Sequence, residues 1–501
     1  MAEEKVEEKV EEKVEEKVEE KIESLDDLII KTKMVKEAEY TEHAKQIIKT
    51  FAEEVEAKNF ENLENAITLV PLLLKRCRDL DLLLSEQVNE IIHHLDFQKL
   101  EASWLGLHKF ICNIETRPDL NVRIIPVKKE ELLKDIEGAI EFDQSSLFKK
   151  IYEEEYGTFG GSPFSVLIGD YYFNKSLQDI NLLEGISNVA AAAHTPFIAA
   201  ASPLLFGMEK FEEIPNPIDL VSLFQSGDFL PWNSFRMKED SKYIVLTLPR
   251  VIQRIPYGKK YQQVEEFDFE EQMNSGNHDC YLWGNPAYVL GNRITSAFQS
   301  YGWCAAIRGV EGGGLVDNLP VHVYQSPSGD QEIKCPSEII ITDRREKELS
   351  DLGFIALCYR KNTNQSVFFG SQTVAKSKVY DDPLANENAF IALQLPYLLA
   401  ASRFAHYIKV IMRDKIGSFA TSGEVSNFLN NWIARYVLTD DFATHSVKAS
   451  YPLREARIDV YEVRGMVGVY KAVCYLRPHF QLNELTVSIR LVSELPAAVG
   501  A

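Results

Sequence analysis

Residues 389–417 read AFIALQLPYLLAASRFAHYIKVIMRDKIG, and the rest of the chain is best read outward from them. Through Ala401 the stretch is apolar on every side, the pattern of a helix buried in a large core. Beyond that point it splits into two faces at about 100° per residue. Phe404, Ile408, Ile411 and Met412 fall on one side. Ser402, His406, Lys409 and Arg413 line up on another. Gly417 stands where a helix C-terminal glycine would, and Arg413 and Lys415 suit the negative end of the helix dipole. A basic stripe rooted in a core is unusual in a chain whose net charge is −21. It reads either as a solvated or internally paired face, or as a docking ridge for an acidic partner.

At 501 residues the chain is long for one core, and two or three domains are expected. Its composition, 45% hydrophobic and 26% charged, is that of an ordinary soluble globular protein. The acidic balance argues against a nucleic-acid binder. No signal peptide is visible, since the first apolar residues are isolated among glutamates. The alanine-rich run 188–208, NVAAAAHTPFIAAASPLLFGM, holds His194, Pro196 and Pro203; it reads as a buried helix and loop and not as a membrane span. Seven cysteines are dispersed without CxxC spacing, which suggests reduced thiols in a cytoplasmic protein.

Residues 3–22 are four copies of EEKV followed by EEKI. A four-residue period stacks like charges at i,i+4 and provides no Glu-to-Lys pair at that spacing, so a marginal helix or disordered acidic tail is expected. A short apolar island, SLDDLIIKTKM (24–34), follows. Helical spacing runs on through Phe110, with Ala44, Ile47, Ile48, Phe51 and Val55 in one set and Leu82, Val88, Ile91, Ile92 and Leu95 in another. From about Asn121 candidate strands alternate with helices: 122–127, 164–173, 243–249, 303–309, 321–324, 338–343, 354–360 and 366–371. After a second helix around Trp432, residues 456–463, 468–476 and 484–492 alternate as strands. The fold class is therefore mixed α/β (α+β), without a clean βαβ period.

No active site emerges. EGGGLVDN (311–318) lacks the GK[ST] of a phosphate loop and reads as a turn, and GTFGGSPF (157–164) precedes a strand where a dinucleotide fingerprint would follow one. His93 and His94 are adjacent, pointing about 100° apart on a helix, and do not share a metal. Asp381 and Asp382 suit a turn and helix N-cap better than an acid pair. Cys304 reads as a buried thiol and not as a nucleophile. No catalytic residue, cofactor or metal ligand is assigned.

Several long stretches resemble one family, the large subunit of the type VI secretion contractile sheath, known as VipB, TssC or ImpC. They include LDFQKLEASWLGL (95–107), LFKKIYEEEYGTFGGSPFSVLIGDYYF (147–173), AAAAHTPFIAAASP (190–203), DSKYIVLTLPRVIQRIPYG (240–258), YGWCAAIRGVEGGG (301–314), CPSEIIITDRREKELSDLGF (335–354), LPYLLAASRFAHYIKVIMRDKIG (395–417) and LRPHFQLNELTVSIRLVSELP (476–496). The EEKV repeat lies outside that pattern. The resemblance implies a non-enzymatic structural protein of the bacterial cytoplasm. Such a protein pairs with a small sheath subunit (VipA/TssB-like) and polymerises with further copies of itself on a baseplate, around an Hcp-like inner tube. The sheath contracts to drive tube and effectors out of the cell and is recycled by an AAA+ Clp-type unfoldase.

The resemblance also assigns residues. Arg403, His406, Lys409, Arg413 and Lys415 would touch the inner tube. Val469, Ala472, Val473, Leu485, Val487, Ile489 and Leu491 would pair strands between protomers. Leu25, Leu28, Ile29 and Ile30 would be the unfoldase segment. The expected division is a tail and island at 1–34, a helical region at 35–115 whose apolar faces make it the candidate for pairing with the small subunit, a mixed α/β middle and outer sheath region at 116–380 and an inner sheath domain at 381–501. The rival readings are a one-component phage-like tail sheath and a cytosolic enzyme.

Overall fold

The computed structural model describes residues 40, 42–43, 45–47, 49–50 and 66–479, apart from 116, 217–218, 260, 265–266, 274–277, 326–328, 330, 415–421, 441 and 463–469. The acidic repeat, Leu25, Leu28, Ile29, Ile30, Lys415, Gly417, Val469, Leu485, Val487, Ile489 and Leu491 lie outside the described residues. The chain divides into two compact units, one up to Leu84 and one from Ser85 onward. In the first, the described residues are helical turns among 42–50 and the greater part of helix α1 (Ala66–Ile92).

The second unit is built on a six-stranded sheet. Chain order brings helices α2 (Leu95–Cys112) and α3 (Lys129–Gly138), strand β1 (Leu167–Phe173), helix α4 (Leu177–Ala193) and strands β2 (Phe197–Ala201) and β3 (Ile244–Leu248). Helix α5 (Pro286–Tyr301), β4 (Leu315–Val316), helix α6 (Asp343–Asp351), β5 (Phe354–Tyr359) and β6 (Ser366–Phe368) follow. The sheet order is β1-β2-β3-β5-β6-β4. The first four strands are parallel, in register through Leu167/Phe197, Phe197/Ile244 and Leu246/Phe354. β6 and β4 close the edge antiparallel.

The central strands FIAAA and IVLTL are buried at every position, as expected of a parallel sheet covered on both faces. Alternate residues serve opposite cores. Phe197, Ala199, Ile244, Leu246 and Phe354 pack with α4, Trp232 and Phe235. Ile198, Val245, Ile355 and Leu357 pack with α5 and with Leu395 and Leu399.

Residues 197–201 are a strand, contrary to the helix–loop expectation, and β1–α4–β2 is a βαβ unit, although the sequence shows no clean βαβ period. Alanine's helix preference yields here because Ala199, Ala200 and Ala201 fill a slot between two helical layers where small side chains fit. Three expected strands, 122–127, 303–309 and 338–343, form no ladder. Ile124 and Ile125 are exposed, and Ile339 and Ile341 are buried against a core, the segment before them touching Val251 through a single bridge at Ser337.

The opening stretch also differs from one continuous helix. Helix α7 (Pro383–Ala392) ends, and α8 (Leu395–Asp414) starts after Gln394 bridges to Gln372. Pro396 explains the break, because it has no N–H to give a preceding turn and suits the first turn of a new helix. Only Gln394–Ala400 is fully buried, while Ala389–Ala392 is not. Asp382 caps α7, accepting from Leu384 N at 3.0 Å, as its sequence position suggested.

Beyond α8 lie helix α9 (Ser422–Ile433) and the two-stranded ribbon β7 (Leu453–Glu462) and β8 (Tyr470–Pro478). α8 joins two cores. Its first turns sit under the central sheet, and Phe404 and Ile408 enter a third cluster with Trp303, Val425, Leu429 and Ile458. Ile411 and Met412 pack against the same cluster, so the apolar side read from periodicity is the core side.

Candidate functional site

The polar stripe of α8 faces its own chain. His406 is 2% exposed, and its Nε2 donates to Ala193 O, the last residue of α4, at 2.8 Å. His194, in the left-handed conformation at φ 52°, closes α4, and its Nδ1 lies 3.0 Å from the Tyr243 hydroxyl. The chain places no hydrogen-bond partner on His406 Nδ1 among the described residues. Burial holds His406 at about 4, assisted by the positive charges of Arg403 and Lys409. It is a neutral core histidine, and this corrects its place in an exposed contact stripe. Ser402 is buried as well.

One turn on, the Lys409 ammonium sits 3.4 Å from the centroid of the Tyr156 ring and 4.7 Å from that of Tyr152. It also donates to the Tyr152 hydroxyl at 3.4 Å. Both tyrosines belong to a π-helix, Lys149–Gly157. Arg413 finishes the contact: its guanidinium donates to Tyr156 O at 3.0 Å and to Thr158 O. Burial, with Tyr152 and Tyr243 close by, pushes the Tyr156 phenol up to about 12, so it remains a neutral ring.

The stripe therefore covers the C-terminal ends of two helices, where carbonyls have no intrahelical partner and the dipole is negative. Sequence periodicity grouped His406, Lys409 and Arg413 on one side but could not name Tyr152, Tyr156 and Ala193 as what lies against it. The one signal was the pair of tyrosines four residues apart in KKIYEEEYG. Arg403 is half-buried, with its guanidinium 4.7 Å from the Tyr407 ring centroid, and Tyr407 is exposed.

The other candidate surface is the β7–β8 ribbon. The two strands pair from Leu453/Pro478 to Glu462/Tyr470. Ala472 packs toward the third core, and Val473 stands on the opposite face of the strand. Among the described residues β8 pairs with β7 alone. A third surface is the outer side of α2, where Leu100 (57% exposed) and Trp104 (65%) lie away from the buried Ala102, Gly106 and Phe110.

The groups weighed for chemistry have structural partners. His93 bonds Glu271 at 3.0 Å, and His94 caps α2 through Asp96 N. Burial pushes the Cys304 thiol up to about 12. Gly313, at φ +88°, lies in a tight turn against Ala306 O. Among the described residues no three His, Cys, Asp or Glu side chains are grouped to hold a metal, and no helix is long and apolar enough to cross a membrane.

Comparison with known proteins defines the class. The model described as "EvpB/VC_A0108, tail sheath N-terminal domain" matches residues 75–375, and the companion "tail sheath gpW/gp25-like domain" matches 384–495. The type VI secretion system sheath protein TssC1 of Pseudomonas aeruginosa is 48% identical over 426 residues, 84% of this chain and 85% of its own. The chain is thus a tail-sheath subunit. It belongs to the VipB family, the large subunits of the type VI secretion sheath. Among solved structures, the contracted sheath of the extracellular injection system PVC aligns over 62% of this chain and 68% of its own, with TM-score 0.32 and 9% identity. The contracted sheath of the anti-feeding prophage aligns over 62% and 66%, with TM-score 0.29 and 12% identity.

Proposed function

We propose that this chain is the non-enzymatic, major building block of a two-component contractile sheath in the bacterial cytoplasm. It pairs with a small sheath subunit, polymerises helically on a baseplate around an Hcp-like tube, and contracts to propel the tube and its effectors. The observation that carries this reading is the match of both sheath domains, in order, across residues 75–495. The energy of contraction lies in the lattice, the extended form being metastable to the contracted one, so the chain needs no catalytic site.

Three surfaces take parts in this reading. The β8 edge, with Ala472 and Val473 and the segment holding Val469, Leu485, Val487, Ile489 and Leu491, exchanges strands with neighbouring protomers; main-chain bonds then keep the lattice connected while rigid bodies rotate. Helix α8 faces the tube through Arg403 and Tyr407, with Lys415 beyond the described end of the helix. Exposed charge pairs worth about 0.2–1 kcal/mol each suit a tube that must be released, and repetition over many subunits supplies the total. The apolar side of α2, with Leu100 and Trp104, belongs to the helical region that grips the small subunit. Leu25, Leu28, Ile29 and Ile30 are the segment offered to a Clp-type unfoldase.

The test is negative-stain microscopy of the chain expressed alone and with its small partner. Hollow tubules only on co-expression support the two-component sheath. Tubules from the chain alone would instead make it a one-component sheath, and discrete particles in both samples would overturn the assembly reading.

A further inference from the structure

Lys409 and Arg413 belong, on charge alone, to a tube-facing ridge, but their nitrogen atoms are already engaged. Lys409 is held by two ring faces and a hydroxyl, and Arg413 by two backbone carbonyls. Tyr156, which meets both cations, is 7% exposed. Its ring also packs edge-on against His406, with centroids 5.3 Å apart, so the clamp continues into the end of α4. Among the described residues no carboxylate pairs with either cation.

We infer that Lys409 and Arg413 are positioning residues that fasten α8 to the π-helix Lys149–Gly157, setting the pose in which Arg403 and Tyr407 meet the tube. This rests on the reading of α8 as the tube-facing helix. The choice of partners has a physical consequence. An exposed cation–carboxylate pair would loosen as salt screens it. A cation over ring faces and helix-end carbonyls is held in a partly desolvated contact that is only weakly screened by salt. The clamp therefore holds while the weak tube contacts form and break.

The experiment uses full-length chain co-expressed with the small sheath subunit, with and without the tube protein. The variants are Lys409→Gln, Tyr156→Leu and Arg403→Glu, with Lys409→Arg as the conservative rescue and Tyr152→Leu in reserve where Tyr156→Leu fails to fold. Without tube, Lys409→Gln and Tyr156→Leu each speed amide exchange over 149–157 by about tenfold, the scale of one partly buried cation–π contact, and Arg403→Glu does not. With tube, both lower the fraction of tube-filled sheath to a similar degree while leaving its salt dependence as in the parent, and Lys409→Arg restores it. Arg403→Glu lowers filling and flattens the salt dependence.

Loss of filling in Lys409→Gln with normal filling in Tyr156→Leu would make Lys409 a direct tube contact and overturn the inference, since the buried Tyr156 cannot reach a tube. Unchanged exchange over 149–157 in both variants would overturn the clamp without touching the tube-facing reading. Normal filling in Arg403→Glu would remove that reading, and the positioning role with it.

Discussion

Trp303 stacks on Phe404, with ring centroids 4.5 Å apart and planes inclined by 26°. Trp303 lies just after α5 and Phe404 in the middle of α8, so this contact closes the third core against the helical layer of the second. Tyr436 meets both rings edge-on, at 5.4 and 5.6 Å. Truncating Phe404 to alanine empties the centre of this group. Phe404→Ala is expected to cost about 3–5 kcal/mol of unfolding free energy, and Phe404→Leu distinctly less. Chemical denaturation of the purified chain measures both.

Acid should weaken the α8–α4 junction. His406 is held at about 4 by burial, against about 6.5 for an exposed imidazole. Between those values the unfolded chain takes up a proton that the folded chain refuses. Its contribution is complete above pH 6.5 and is lost as pH falls toward 4, by at most about 3 kcal/mol. His406→Gln keeps an N–H for Ala193 O and removes the titration, so its urea midpoint should vary less with pH over that range than the parent's. Identical pH profiles would show that His406 does not report the junction.

Glu271 is the hinge of a buried charge network. Its carboxylate, 1% exposed, accepts from Arg254 at 2.6 Å, His93 at 3.0 Å and Tyr257 N at 2.9 Å. Arg254 also reaches Glu101 on α2 at 2.6 Å. Glu271→Ala leaves Arg254 largely buried with half its partners, a change expected to cost about 3–5 kcal/mol. Adding Arg254→Met should recover part of the loss. Thermal unfolding of the single and double variants decides it, and a near-neutral single variant would contradict the network.

Trp104 stands 65% exposed on α2. Under the proposed pairing it is an anchor for the small subunit. Trp104→Ala should weaken the heterodimer by about tenfold or more while leaving the melting temperature of the chain within a degree or so, because a well-exposed side chain carries little folding energy. Titration with the purified small subunit reads the first quantity. Unchanged affinity would move the pairing surface elsewhere.

Periodicity is a reliable guide to sides and a poor one to surroundings. It placed Phe404, Ile408, Ile411 and Met412 on the core side of α8, and Asp382 at a helix start, because both depend on residues within a turn or two. It misread 197–201, since alanines carry a helix preference that only a two-sided sheet overrides. It also missed the break before Leu395, where Ser371 O accepts from Leu395 N and Leu393 O accepts from Thr373 N, pairing with a segment about twenty residues upstream.

By itself the sequence determined the mixed α/β class, the amphipathic division of α8 and membership of the sheath family, all of which rest on local pattern or on long matching stretches. Only the tertiary structure decided what the basic stripe packs against. Ser402, His406, Lys409 and Arg413 share a side by helical spacing, yet solvent, another molecule and the chain's own interior would all satisfy that spacing. The partners that settle it stand 213 residues from His406, at Ala193, and 257 from Lys409 and Arg413, at Tyr152 and Tyr156. Contacts at such separations arise when helix ends need positive charge and rings need a face covered, and the folded chain brings them to the same place.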